Sequence, residues 1–316
     1  MTNFVELLNE WLSYMEVQVK PSTYACYLRL AKIHIEPYFS HIPAEQINQS
    51  VVAAFISEKL ENGRSDGQGG LSEKTVKDIM SVINSVCKYG AAVYGVKQQP
   101  LMRWRYSNIS KPIQVFTREE QKILEDFLTR NITPHKLGIL ICLYTGMRLG
   151  EICALSWQNV DLERKVFHIE KTVQRIYTKE MNGTHIIIGL PKTRAAIREI
   201  PIASCLWQYL ANPITQPSPE GCVIDRQSRS FLDPRTYQWN YKSLLQHCGI
   251  PYRNFHALRH TFATRCIEQH MDVKSLSEIL GHTNVNITLN RYVHSSMETK
   301  RNQLEKLCEP NPCDRL

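Results

Sequence analysis

Between Val166 and Ile202 the apolar residues of this 316-residue chain change their period. Upstream they return every three or four residues. Here they fall into short β-rich runs, Val166–Ile169, Val173–Tyr177, His185–Ile188 and Arg198–Ile202, and after Ala203 the helical spacing resumes. A period near 3.6 lines one face of a helix and a period of 2 lines one face of a strand, so the switch constrains the class. The expected fold is mainly α with a small antiparallel β-sheet in the second half, an α+β arrangement. Asn182-Gly183, between two of the runs, reads as a hairpin turn.

The first hundred residues carry only the helical period. Phe4, Leu7, Leu8, Trp11, Leu12 and Met15 line one face of a first helix. Lys20-Pro21-Ser22-Thr23 stops it, and Ser22 or Thr23 is placed to cap a second helix running to about Phe39. A third follows Asn48, Gly63 to Gly70 form a loop, and a fourth starts near Ser72 with Val76, Ile79, Met80, Ile83, Val86 and Cys87 facing inward. Pro100 to Pro112 is the linker candidate, and Thr117-Arg118-Glu119-Glu120 is a capping box that opens a new domain. The expected division is a helical bundle over 1–107, a linker over 108–112 and a second domain over 113–316.

Hydrophobic residues make up 43% and charged residues 22%, enough apolar material for two cores and too much for a disordered chain. The longest apolar run, Leu137 to Tyr144, is too short to span a bilayer, so no membrane partner is expected. Met1 to Glu6 show neither a basic nor an apolar leader segment, and a cytoplasmic protein is expected. Ten cysteines without a C-x-x-C pair read as reduced thiols. Residues 1–110 hold 11 basic and 10 acidic side chains, whereas residues 111–316 hold 27 and 20, an asymmetry that favours a polyanionic partner. Glycine-rich nucleotide cradles are missing. His256 and His260 have the i, i+4 spacing of a zinc-protease helix, but Ala257 stands where the glutamate is required. Neither a cofactor nor a metal is expected.

Cationic and hydrogen-bonding residues gather at helix edges. Thr145-Gly146-Met147-Arg148-Leu149-Gly150-Glu151 reads as a turn between helices, with Glu151 placed to fix the Arg148 head while the guanidinium offers its fork to a phosphate. Farther on come Lys192, His256-Ala257-Leu258-Arg259-His260, Leu280-Gly281-His282 and Tyr292. In this order the set resembles the tyrosine site-specific recombinases, or phage integrase family, with His256 to Thr264 and Ile279 to His282 similar to integrases of bacterial conjugative and phage elements. Such integrases often carry an extra amino-terminal arm-binding domain, whereas here the first helix starts by Phe4.

The resemblance implies a SAM-like core-binding bundle followed by a catalytic domain, together a two-domain clamp on double-stranded DNA. It implies four protomers on two synapsed sites, with accessory DNA-bending proteins as further partners. The implied reaction is strand cutting and rejoining through a covalent 3′-phosphotyrosyl link, serving integration, excision or inversion. Arg148 and Arg259 would neutralise the nonbridging oxygens as charge builds in the transition state. Tyr292 would attack phosphorus, and His256 would take the phenolic proton. Lys192 would protonate the leaving oxygen, with Arg194 and Lys179 as other donors near the hairpin. His282 would donate to a nonbridging oxygen, Glu151 would orient Arg148, and His260 would hydrogen-bond within the fold. The segment Met297 to Cys308 would form a helix that docks on a neighbouring protomer. The rival expectations are a type IB topoisomerase-like relaxing enzyme and a non-catalytic DNA-binding accessory protein.

Overall fold

The computed structural model describes residues 3–95, 113–178, 183–191, 193–211, 219–225, 227, 230–293 and 301. Two units divide the chain: residues 1–111 with 176–185, and residues 112–175 with 186–316. The expected linker, the Asn182 turn position, Lys179, Lys192 and the segment Met297 to Cys308, Arg301 excepted, lie outside the described residues.

The first unit contains α1 (Phe4–Gln18), α2 (Pro21–Leu30), α3 (Glu36–Phe39), α4 (Gln49–Asn62) and α5 (Glu73–Tyr94). Asn3, Asn48 and Ser72 cap α1, α4 and α5 by accepting backbone N–H groups that the first turn leaves unpaired. The expected Ser22 or Thr23 cap is not formed. The helix starts earlier, with Lys20 at the cap and Pro21 at the first helical position, where a missing N–H costs nothing. A π-helical turn, Ala31–Ile35, joins α2 to α3, and the Glu36 N–H reaches back to the Ala31 carbonyl. Pro37 has no N–H to extend the α-helical ladder at this point. The core follows the apolar period: Phe39 sits among Phe4, Tyr38 and Phe55, with ring centroids 4.9–5.2 Å away.

In the second unit, Thr117 and Glu120 form the expected capping box on α6 (Arg118–Arg130). α7 (Pro134–Thr145) buries every residue from Leu137 to Leu143, so it forms the centre of the core rather than an amphipathic edge. α8 (Leu149–Ile152) leads into β1 (Val160–Asp161), β2 (Val166–Ile169), β3 (Thr172–Thr178), β4 (Gly183–Gly189) and β5 (Arg198–Pro201), with the residues of β3 and β4 between 176 and 185 counted in the first unit. The four β-rich runs of the sequence correspond to β2, β3, β4 and β5. β1, β2 and β5 form an antiparallel sheet in that order, with Phe167 opposite Ile200, while β3 pairs with β4. Then follow α9 (Ser204–Leu210), α10 (Pro234–His247), α11 (His256–Glu268), α12 (Val273–Leu280) and α13 (Val285–Tyr292). α11 packs on α7, and both α12 and α13 pack on α11. The fold is mainly α with small antiparallel sheets. Among the described residues, no helix is long and apolar enough to cross a membrane, and every described cysteine is free.

Candidate active site

Two left-handed glycines shape the site. Gly146 ends α7 at φ +65° and Gly281 ends α12 at φ +64°, values that a side chain disfavours. A Cβ on Gly146 would also stand 2.7 Å from Leu280 and Phe262. These turns present the last carbonyls of both helices, the negative ends of their dipoles, to two guanidiniums. Arg259 Nη1 donates to the Gly146 carbonyl at 2.8 Å and Nη2 to the Leu280 carbonyl at 2.8 Å. Arg148 Nη2 donates to the Gly281 carbonyl at 3.1 Å. Both arginines therefore rest on the end of α12, and Arg259 spans from there to the end of α7.

Arg148 is the cap residue of α8, and its backbone N–H donates to Glu151 Oε2 at 2.9 Å. Its Nη1 lies 2.7 Å from Glu151 Oε1, so the pair expected from the three-residue spacing forms. Glu151 has a second partner that sequence reading missed. Arg198, on β5, donates Nη2 to Glu151 Oε2 at 2.9 Å and Nη1 to Oε1 at 3.2 Å, and donates from Nε to the Ile279 carbonyl. Glu151 is 3% exposed. Burial alone would raise its pKa, but Arg198 and then Arg148 outweigh that and hold it below the ordinary carboxylate range. Burial and the neighbouring Arg148 lower the Arg259 pKa to about 9, which leaves the guanidinium charged at neutral pH.

His282 stands against Arg259, with Nε2 2.9 Å from Nη2. A guanidinium only donates, so Nε2 accepts; burial, then Arg259 and Arg148, lower the ring's pKa to about 4 and keep it neutral. The remaining proton is then on Nδ1, which donates to Thr288 Oγ1 at 2.8 Å. The expected donation from His282 to a nonbridging oxygen is thus not set up in the free site, because Nε2 is already occupied as an acceptor. Arg148, Glu151, Gly281 and His282 line a cleft of about 430 Å³ that also meets Pro191 and Thr193, the sequence neighbours of Lys192.

Tyr292 ends α13 and is 9% exposed, packed with Ala263, Cys266, Leu276 and Leu280. Burial raises its pKa, with Arg259, Arg291 and Arg148 pulling the other way. The histidine beside it is not the one expected. His260 Nδ1 lies 2.7 Å from Tyr292 Oη, whereas His256 stands edge-on to the His260 ring, centroids 4.6 Å apart at 89°. The reason is helical geometry. Both histidines share one face of α11, and His260 lies one turn farther along it, where it meets the end of α13. Burial, then His256, Arg291 and Arg259, lower the His260 pKa to about 3; burial, then Arg259, lower that of His256 to about 4. Both rings are neutral at physiological pH.

The structure thus brings Arg148, Glu151, Arg259 and His282 into one hydrogen-bonded set and links Tyr292 to His256 through His260. An arginine that lines a cleft and a second that is buried, beside neutral imidazoles and a phenol, fit a class: proteins equipped to move a phosphoryl group onto a tyrosine. Comparison with known proteins agrees. The phage integrase family model matches residues 114–299, and the phage integrase N-terminal SAM-like domain model matches residues 3–60. The chain belongs to the phage integrase family, the tyrosine recombinases, a class of DNA strand-transferring enzymes.

A tyrosine recombinase XerC-like protein of Caldanaerobacter subterraneus subsp. tengcongensis is 27% identical across 96% of this chain and 82% of its own length. The ICEBs1 integrase of Bacillus subtilis is 25% identical over the same shares, 96% and 82%. In the transposase from transposon Tn916 of Enterococcus faecalis, 27% identity extends over 65% of this chain and 54% of the relative. Among solved structures, the Tn1549 transposon integrase in complex with a circular intermediate DNA has the same fold, with a TM-score of 0.77 at 20% identity, covering 97% of this chain and 100% of that one.

Proposed function

We propose that this chain is a site-specific recombinase of a mobile element that cuts and rejoins double-stranded DNA through Tyr292. The observation that carries this reading is the cross-bracing of Arg148 and Arg259 on two helix ends in the unit that also holds His282 and Tyr292. A phosphodiester is a poor electrophile because its anionic oxygens repel nucleophiles. Two guanidiniums held on main-chain carbonyls neutralise those oxygens as charge builds. Tyr292 Oη forms a bond to phosphorus while the bond to the 5′-oxygen breaks, leaving a 3′-phosphotyrosyl link and a free 5′-hydroxyl. Lys192 supplies the proton that the leaving oxygen needs. The link retains the bond energy, so reversal by another 5′-hydroxyl needs no nucleotide. Glu151 holds Arg148 in place, and His256 borders the phenol's partner. Arg259 leaves His282 Nε2 as it turns to the phosphate. Once the ring proton has moved from Nδ1 to Nε2, with the Thr288 hydroxyl donating to Nδ1 in its place, His282 donates to a nonbridging oxygen.

Residues 1–107 serve as the core-binding domain and residues 113–316 as the catalytic domain of a clamp on DNA, acting in the cytoplasm as a homo-tetramer on synapsed sites, with DNA-bending proteins assisting. The excess of 27 basic over 20 acidic residues after position 110 supports a polyanionic partner. The similarity to a transposon's transposase and to an integrase supports integration and excision. The test uses nicked duplexes drawn from the DNA flanking the gene, with covalent adducts read on denaturing gels. Tyr292→Phe should bind these duplexes as the parent does and form no adduct. Adducts that persist would move the nucleophile elsewhere. Equal relaxation of any supercoiled plasmid, without strand exchange, would make the chain a topoisomerase-like relaxing enzyme.

A further inference from the structure

We infer that His260, rather than His256, takes the phenolic proton of Tyr292 during strand cleavage. This rests on the reading of Tyr292 as nucleophile and deepens it. His260 Nδ1 lies 2.7 Å from Tyr292 Oη, the distance of a hydrogen bond already made to the reacting oxygen. General-base geometry asks for this reach before anything else. His260 is 7% exposed and Tyr292 9%, so water does not compete for the contact. The groups facing the His260 ring are His256 and Arg259 on its own helix, and Arg291 and Tyr292 on α13. Burial first, and then the cations, keep the ring neutral in the free enzyme, so Nδ1 offers a lone pair and the phenol donates to it.

An incoming phosphate changes this balance. Its negative charge beside Arg148 and Arg259 offsets the positive field that disfavours an imidazolium. As the Oη–phosphorus bond forms, the phenolic hydrogen becomes strongly acidic and passes to Nδ1. His260 is then doubly protonated, the 5′-oxygen leaves with a proton from Lys192, and rejoining returns both protons. His256, edge-on at 4.6 Å, cannot be charged at the same time without repelling His260.

The experiment measures adduct formation by the full-length chain on a nicked duplex from the flanking DNA, with either tyrosine or a fluorinated, more acidic tyrosine at position 292. His260→Asn keeps a hydrogen-bond acceptor near the place of Nδ1 but has no basic nitrogen. It should slow cleavage by about a hundredfold, the low end for loss of a general base. With the acidic tyrosine, which ionises without help, the gap between His260→Asn and its parent should close to within about tenfold. His256→Asn, which leaves the contact intact, should show no such closure. Nitrogen-15 spectra should show Nδ1 of His260 unprotonated in the free enzyme. Faster cleavage by His260→Ala would make the contact a restraint on Tyr292 and overturn the inference. A defect in His260→Asn that the acidic tyrosine leaves unchanged would reduce His260 to a positioning residue and overturn it too. Adducts surviving Tyr292→Phe would instead defeat the underlying assignment of the nucleophile.

Discussion

The first unit buries one charged or polar side chain among its described residues, Lys59, while the second buries ten, including Glu151, Arg259, His260, Ser277 and Thr288. Lys59 stays close to an ion-pair partner, Glu58 at 3.0 Å, and holds its ammonium over the rings of Phe55 and Tyr38. The second unit instead places a carboxylate between two arginines and a guanidinium among carbonyls. Desolvating these groups is costly, and partners recover the cost only where geometry satisfies them. One unit is thus organised by shape and apolar burial. The other gives up part of that economy to hold charges in fixed positions, as a reaction centre requires.

The largest expected effect tests that contrast directly. Glu151→Gln keeps the shape but leaves Arg198, whose side chain is 6% exposed, without its counter-charge. Removing one partner of a buried pair should destabilise the second unit by about 3–5 kcal/mol. Hydrogen exchange should show protection lost over 113–293 and kept over 3–95, and loss spread evenly over both would break the distinction.

Acid should separate the units next. His256, His260 and His282 have pKa values lowered to about 4, 3 and 4 in the folded second unit, while in the unfolded chain they titrate near 6.5. Below the unfolded value the unfolded state binds more protons, so stability is full above about 6.5 and falls as pH drops toward 4. Glu151 adds a loss below the ordinary carboxylate range, because its folded pKa is depressed. In the first unit burial lowers the pKa of His34 as well. The second unit should therefore lose protection first between pH 6.5 and 4, and parallel profiles for the two units would contradict this.

The smallest effect belongs to the first unit. Ile83 is fully buried on α5, and Ile83→Val removes one methylene. The cost should be about 0.5–1.5 kcal/mol in urea unfolding, with DNA cleavage unchanged. A larger loss would mean that this bundle is as tightly specified as the reaction centre.

The same contrast governs what could be read from sequence. In the first unit, neighbours along a helix decide burial, so the inward positions Val76, Ile79, Met80, Ile83 and Val86 and the helix starts after Asn48 and near Ser72 were legible. The second helix began earlier than expected because Pro21 outranked the hydroxyls as a start signal. In the second unit the decisive contacts link residues far apart in sequence. Arg198 meets Glu151 across 47 positions, and no local pattern marks it, since it opens a strand like any surface arginine. His260 meets Tyr292 across 32 positions. Its i, i+4 spacing from His256 put both on one face, but only the place of α13 decides which of them reaches the phenol. Thr288 was missed for the same reason, as its hydroxyl matters only once His282 lies beside it.

Arg148 and Arg259 rest on the main-chain oxygens of Gly281, Gly146 and Leu280. Every amino acid carries such an oxygen, so no side-chain replacement in α7 or α12 can delete these sockets. What a lineage must pass on is the pair of bends that turn the oxygens inward, not the spelling of the helices that end there. Genes for such proteins can therefore drift far apart in their letters and still inherit the same trap for an anion. An engineer can likewise repack the outer faces of both helices without retuning the charges they hold.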